Sequence, residues 1–148
     1  MNMQGKASIL IIIFFILVLG GLAAVIFMSK TQAVSIVTDQ PSYKKGEAIK
    51  VEIVNKTDKT VCFSSCLPYK LEKKQIFFKE YNYGVCPRED IVSTCIANGG
   101  TKAFELVTPT IDLGINRIAV PVCFNCAKGD KFIESKKYYS NEFNLLNL

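Results

Sequence analysis

Apolar and charged side chains alternate along Ile49-Lys50-Val51-Glu52-Ile53, and that period of two predicts a strand with one buried face and one wet face. Asn55-Lys56-Thr57-Asp58-Lys59 reads as a turn, and Thr60 to Phe63 as a second strand with Val61 and Phe63 pointing inward. Leu71 to Tyr81, where Ile76, Phe77 and Phe78 supply bulk, predicts a strand or hairpin. Tyr83 to Gly100 contains Gly84, Pro87 and Asn98-Gly99-Gly100 and reads as loop. Alternation returns at Ala103 to Val107, with Phe104 and Leu106 on one face, and at Ile115 to Val122, with Ile118, Val120 and Val122 on one face. Pro121 cannot donate to a ladder, so it belongs near a bulge, an edge or a strand end. Tyr138 to Leu146, carrying Phe143 and Leu145, closes the chain as a last strand. Short strands separated by turn residues, with no amphipathic helix among them, predict a two-sheet sandwich.

A different pattern precedes these strands. Residues 7–28 hold no charge, and as a helix they would reach about 33 Å, enough to span a bilayer. The stretch exceeds the apolar core of a cleavable signal peptide, about 7 to 15 residues, although Thr31-Gln32-Ala33 resembles a weak cleavage site. The expected organisation is a tail at 1–6, a transmembrane signal anchor at 7–28 in contact with the lipid bilayer, a linker at 29–33 and one domain at 34–148. Lys6 lies before the apolar run, and Lys30, Lys44 and Lys45 lie beyond it, so local charge does not set the orientation; a whole domain can be exported despite its charges.

Cysteine decides the compartment. The chain has six cysteines, all beyond the apolar run, and an even count in a small exported domain points to a disulfide framework of the kind that persists outside the cytosol. The expected location is therefore the cytoplasmic membrane, single-pass, with the C-terminal domain extracytoplasmic. The net charge of +5 is scattered and includes no arginine-rich, aromatic-interleaved patch, so no nucleic-acid partner is expected. With no histidine in the chain, His-dependent triads and histidine metal sites are excluded. Glu89-Asp90, the adjacent carboxylate pair, reads as a solvated turn, and no phosphate loop occurs. No catalytic residue, metal or cofactor is expected, and the domain reads as non-enzymatic. Asn55-Lys56-Thr57 is a glycosylation sequon on the first turn, with Asn55 as possible acceptor.

The stretch "YKKGEAIKVEIVNKTDKTV", Tyr43 to Val61, resembles the opening of the immunoglobulin-like modules of bacterial and archaeal envelope proteins; "LGINRIAVPVC", Leu113 to Cys123, and "YSNEFNL", Tyr139 to Leu145, resemble their exit. The resemblance implies an all-β, immunoglobulin-like antiparallel sandwich preceded by a single transmembrane α-helix. It also implies an interaction surface for an envelope protein or glycan. A proteinase inhibitor of the same fold is the alternative, as is a thiol-redox domain or a zinc domain with four cysteine ligands. The chain has no tryptophan, so Phe or Tyr must replace the usual central aromatic, and Asn116 stands where a corner tyrosine is often found.

Such a sandwich would set the strand after Thr60 antiparallel to that of Ile115 to Val122. Opposed residue numbers then sum to a constant, which suits Cys62 with Cys126 and Cys66 with Cys123. Pairing Cys62 with Cys123 instead would put Cys66 and Cys126 roughly 23 Å apart along the ladder. Cys86 with Cys95 follows by exclusion. Parity points the Cys62 and Cys123 sulfurs away from the main apolar layer. Zinc held by Cys-x3-Cys and Cys-x2-Cys, redox chemistry at Cys123-Phe124-Asn125-Cys126, and local pairing within each cluster remain alternatives.

Overall fold

The computed structural model describes residues 32–81, 86, 88–107 and 111–147. Within them the chain forms eleven strands: β1 Val34–Thr38, β2 Ser42–Lys44, β3 Ala48–Asn55, β4 Val61–Ser64, β5 Lys70–Lys74, β6 Phe78–Tyr81, β7 Val92–Ile96, β8 Thr101–Val107, β9 Gly114–Phe124, β10 Lys136–Tyr139 and β11 Phe143–Leu146. One sheet has the order β1-β3-β8. The second runs β2-β11-β9-β4-β7, with β10 and β5 also paired to β9, and β6 paired to β5. The result is an all-β, two-sheet fold compatible with a β-sandwich.

The alternating strands deliver their apolar faces to one core. Val34 and Ile36, Ile49, Val51 and Ile53, and Leu106 come from the first sheet; Val61, Phe63, Leu71, Ile118, Val120, Val122, Phe143 and Leu145 come from the second. These include the inward residues that periodicity selects on β3, β4, β9 and β11. Burying each large aliphatic or aromatic side chain is worth about 1.5 to 3 kcal/mol, so the period-two pattern is the main source of the fold's stability.

Three features differ from the sequence expectation. The expected helix-then-sandwich class is corrected: no helix occurs among the described residues, and none there is long and apolar enough to cross a membrane. The single-pass placement in the cytoplasmic membrane is corrected on the same finding. That expectation rested on the hydropathy of residues 7–28, which lie outside the described residues, as does the lipid contact assigned to them. Second, the stretch read as loop contains β7, antiparallel to β4, its short apolar signal (Val92, Ile96) interrupted by Ser93, Thr94 and Cys95. Third, Tyr138 to Leu146 divides into β10 and β11, which follow one edge of β9 in succession.

Pro121 lies inside β9, a central strand. Its partner on one side is Lys137 of β10. On the other side β5 pairs as far as Ala119 and β4 begins again at Cys123. The proline therefore occupies the gap between two partner strands, where a missing N–H costs no ladder bond.

Candidate functional site

Ladder pairing sets Cys62 of β4 opposite Cys95 of β7 on one side and opposite Cys123 of β9 on the other. Three cysteines thus form a row across adjacent strands. The disulfides are Cys62–Cys95, Cys66–Cys86 and Cys123–Cys126, with Cα separations of 4.0, 5.5 and 6.0 Å. The expected pairs Cys62–Cys126, Cys66–Cys123 and Cys86–Cys95 are therefore corrected. Two causes are visible: the β4/β9 register is offset from the assumed one by three to four residues, and β7, read as loop, brings Cys95 against Cys62.

Local geometry explains the short Cys123–Cys126 loop. Asn125 adopts φ 55°, a left-handed conformation that Asn tolerates better than most residues. Its N–H donates to the Thr60 carbonyl at 2.9 Å, and its side-chain oxygen accepts from Thr60 N at 3.2 Å. The chain turns back at this point, placing the Cys126 carbonyl oxygen 3.2 Å from the Cys62 sulfur. Cys62, Cys123 and Val92 form a small second apolar cluster, in keeping with the outward parity expected for the first two. All six sulfurs are bonded, so the thiolates that a four-cysteine zinc site requires are consumed, and no metal-binding group of side chains occurs among the described residues.

Asn55 is not an exposed acceptor. Its side chain is 0% exposed, and Nδ2 donates to the carbonyls of Lys59, Ile96 and Ala97 at 2.7, 3.2 and 3.0 Å. Its Oδ1 accepts from Thr57 N and Thr57 Oγ1 at 3.0 and 2.6 Å. The sequon residue is therefore used internally, tying the β3–β4 turn to the β7–β8 turn, and the exposed position expected for Asn55 is corrected. Asp90 is likewise structural: it accepts from Ser64 Oγ at 2.7 Å and from Cys66 N at 3.3 Å, bracing the chain beyond β4. Its neighbour Glu89 pairs with Lys131 at 3.5 Å on the surface.

Sequence reasoning missed a polar centre on the outer face of β5, β6, β9 and β10. Arg117 donates to Glu72 through Nε at 2.7 Å and Nη2 at 2.6 Å. Both nitrogens reach the one oxygen Oε2, and the guanidinium lies 3.9 Å from the Phe78 ring centre and 4.0 Å from that of Tyr139, a stacked arrangement that lysine could not reproduce. These contacts join β5 and β6 to β9 and β10, so the centre locks the hairpin to β9. On the inner side Asn116 donates to the Asp112 and Gly114 carbonyls at 2.7 and 2.8 Å and accepts from the Tyr81 hydroxyl at 3.1 Å.

Burial pushes the Tyr81 phenol up to about 12. Burial, and next its hydrogen bond to Asp39, also raises Tyr43. A raised folded-state pKa contributes stability that is complete below the unfolded value, about 10 for tyrosine, and is lost as pH rises toward the folded value. Stability measured by urea unfolding should therefore decline between about pH 10 and 12. Tyr81→Phe should make that decline shallower, and an unchanged slope would count against the assignment.

Two surfaces stand out among the described residues. At the β5–β6 tip, Ile76 and Phe77, whose bulk pointed to a strand or hairpin, are 88% and 82% exposed. The second is a cleft of about 220 Å³ lined by Ile53 and Phe63, by Pro68 and Tyr69 of the β4–β5 connection, and by Lys102, Phe104 and Glu105 of β8. The Tyr69 and Phe104 rings stack there, 5.2 Å apart. Lys102 has the parity of Phe104 and Leu106 and faces inward, its Nζ 2.6 Å from Thr94 Oγ1 and 4.8 Å from the Phe63 ring centre. Burial lowers its pKa. A lysine on the apolar face of an alternating strand was legible in Thr101 to Val107, and is the signal that could have located this cleft.

No protein-family model matches this sequence, and no curated protein proved similar enough to it to count as a relative.

Proposed function

We propose that this chain is a non-enzymatic binding module, an immunoglobulin-like domain that works in an oxidising compartment outside the cytosol and grips a protein partner with its β5–β6 hairpin tip. The observation that carries the reading is the adjacent, almost fully exposed pair Ile76 and Phe77. Exposed apolar residues are ordinary when scattered, but two together on a loop held by a rigid scaffold mark a contact surface. The base of the hairpin is tied to the sheet: β5 is laddered to β9, Lys73 and Lys74 pair with Asp112 and Glu142 at 3.4 and 3.0 Å, and Arg117 stacks on Phe78. An aliphatic side chain beside a phenyl ring suits a protein pocket better than a sugar, which asks for polar donors around the ring.

Further features support the immunoglobulin-like class. β1 pairs with β3 in one sheet while β2 runs parallel to the final strand β11 in the other, so the opening segment changes sheets. Fully buried Phe63 on β4 occupies the kind of position for which a central aromatic was expected. Asn116 bonds back to the carbonyl of Asp112, four residues upstream, which is the connection a corner tyrosine makes. Three disulfides favour an oxidising compartment.

The test compares wild type with Ile76→Ser/Phe77→Ser as baits in cross-linking against extracytoplasmic extracts of the source cells, with a glycan array in parallel. The expected result is a protein captured by wild type and lost by the variant at unchanged melting temperature. Equal capture by both, or binding to glycans alone, overturns the reading.

A further inference from the structure

We infer that the cleft beside β8 is a second binding site, independent of the hairpin tip, that receives an extended acidic peptide as an added strand. β8 is hydrogen-bonded to β3 on one side; on the other, between Thr101 and Leu106, no strand accompanies it among the described residues. An edge of this kind is a template for strand addition, in which main-chain bonds give affinity and alternate side chains give specificity.

The side-chain requirement is set by Lys102 and Phe104. They are two residues apart, so both face the sandwich interior, and a strand added to β8 would place its own inward residues beside them. Phe104, stacked with Tyr69, offers an apolar floor to one such residue. Lys102 makes a hydrogen bond to Thr94 and a contact with the Phe63 ring, yet none of the ion pairs among the described residues includes it. Glu105, which also lines the cleft, has the opposite parity and is exposed, so a partly buried ammonium whose partners among the described residues are neutral favours an incoming carboxylate, because an ion pair gains strength as water is excluded. The same lysine argues against a second copy of this chain as occupant. Pairing two β8 edges would bring two inward lysines to one seam, the device by which natural edge strands avoid one another. The occupant is therefore a heterologous segment carrying an acidic and an apolar residue two positions apart.

The probe is the blocked peptide Thr-Val-Thr-Phe-Thr-Glu-Thr-Val-Thr and its reversed sequence, titrated against the full chain with its disulfides intact. Binding of at least one of the two should weaken about tenfold when the peptide Glu becomes Lys, in line with the loss of a charge-assisted hydrogen bond. Lys102→Met keeps the apolar stem and should abolish that preference. Bound peptide should slow amide exchange between Thr101 and Leu106. Ile76→Ser/Phe77→Ser should bind the peptide as wild type does, which separates this site from the tip. Absence of binding by every peptide, indifference to the Glu→Lys exchange in the unmodified protein, or exchange protection away from β8 would each overturn the inference.

Discussion

Asn55→Ala should destabilise the domain by about 3 kcal/mol, toward the upper end of what buried unsatisfied polar groups cost. The side chain is sealed from solvent and donates to three carbonyls while accepting twice from Thr57. Alanine leaves the buried Ile96 carbonyl and its neighbours without those donors. The backbone of the same residue is also committed, its N–H to the Gly100 carbonyl at 3.0 Å and its carbonyl accepting from Gly99 N at 2.9 Å. The β7–β8 turn that supplies these groups uses Gly99 at φ 71°, where a side chain would be strained. One residue thus fastens two turns, and its loss should loosen both. Asn55→Asp should be worse than alanine at neutral pH, because a carboxylate would then face carbonyl oxygens with no proton to offer. Urea unfolding with an unchanged m-value measures both effects. A loss below about 1 kcal/mol for alanine, the worth of an ordinary hydrogen bond, would show that the network is not formed as described.

The second large effect is expected at Cys62–Cys95. The three disulfides join residues separated by 33, 20 and 3 positions. Restriction of the unfolded chain alone then predicts about 3.8, 3.3 and 1.9 kcal/mol of stabilisation respectively. Cys62→Ala with Cys95→Ser should therefore lower the melting temperature most, and replacing Cys123 and Cys126 together should lower it least. Alanine suits position 62, which is fully buried beside Val92 and Cys123, whereas the exposed position 95 accepts serine. The ranking presupposes the connectivity, which peptide mapping without reduction reads directly. Recovery of Cys62 joined to Cys126, or a larger loss from the Cys123 and Cys126 pair, would contradict the β4/β7 register on which the ranking stands.

How much of this was legible follows from the range of the forces involved. Periodicity of two is a local property, so the inward faces of β3, β4, β9 and β11 could be read from a few residues each. The outward parity of Cys62 and Cys123 came from the same alternation. The hairpin between Leu71 and Tyr81 was also visible, but not which of its apolar residues would be buried: Phe78 meets Arg117 while Ile76 and Phe77 face solvent, and that choice depends on where β9 lies. Register was not legible. A shift of two or four residues between β4 and β9 keeps their inward faces matched yet changes the cysteine partners, so alternation cannot choose among such registers, and β7 carries too few apolar residues to announce itself.

The candidate sites divide along the same line. That Lys102 interrupts an apolar face is written in Thr101 to Val107; that Tyr69, from a distant connection, closes a cleft beside it was decided by the packing of one sheet on the other. That Asn55 begins a sequon is a matter of three consecutive residues; that its amide is buried was decided by carbonyls from Ile96 and Ala97, some forty positions away. The sequence by itself determined the all-β class, the faces of its strongest strands and the absence of histidine chemistry, because these depend on composition and near neighbours. Only the tertiary structure decided the disulfide partners, the burial of the Asn55 amide, the exposure of the hairpin tip and the cleft beside β8, because each depends on backbone segments brought together by the core rather than by the chain.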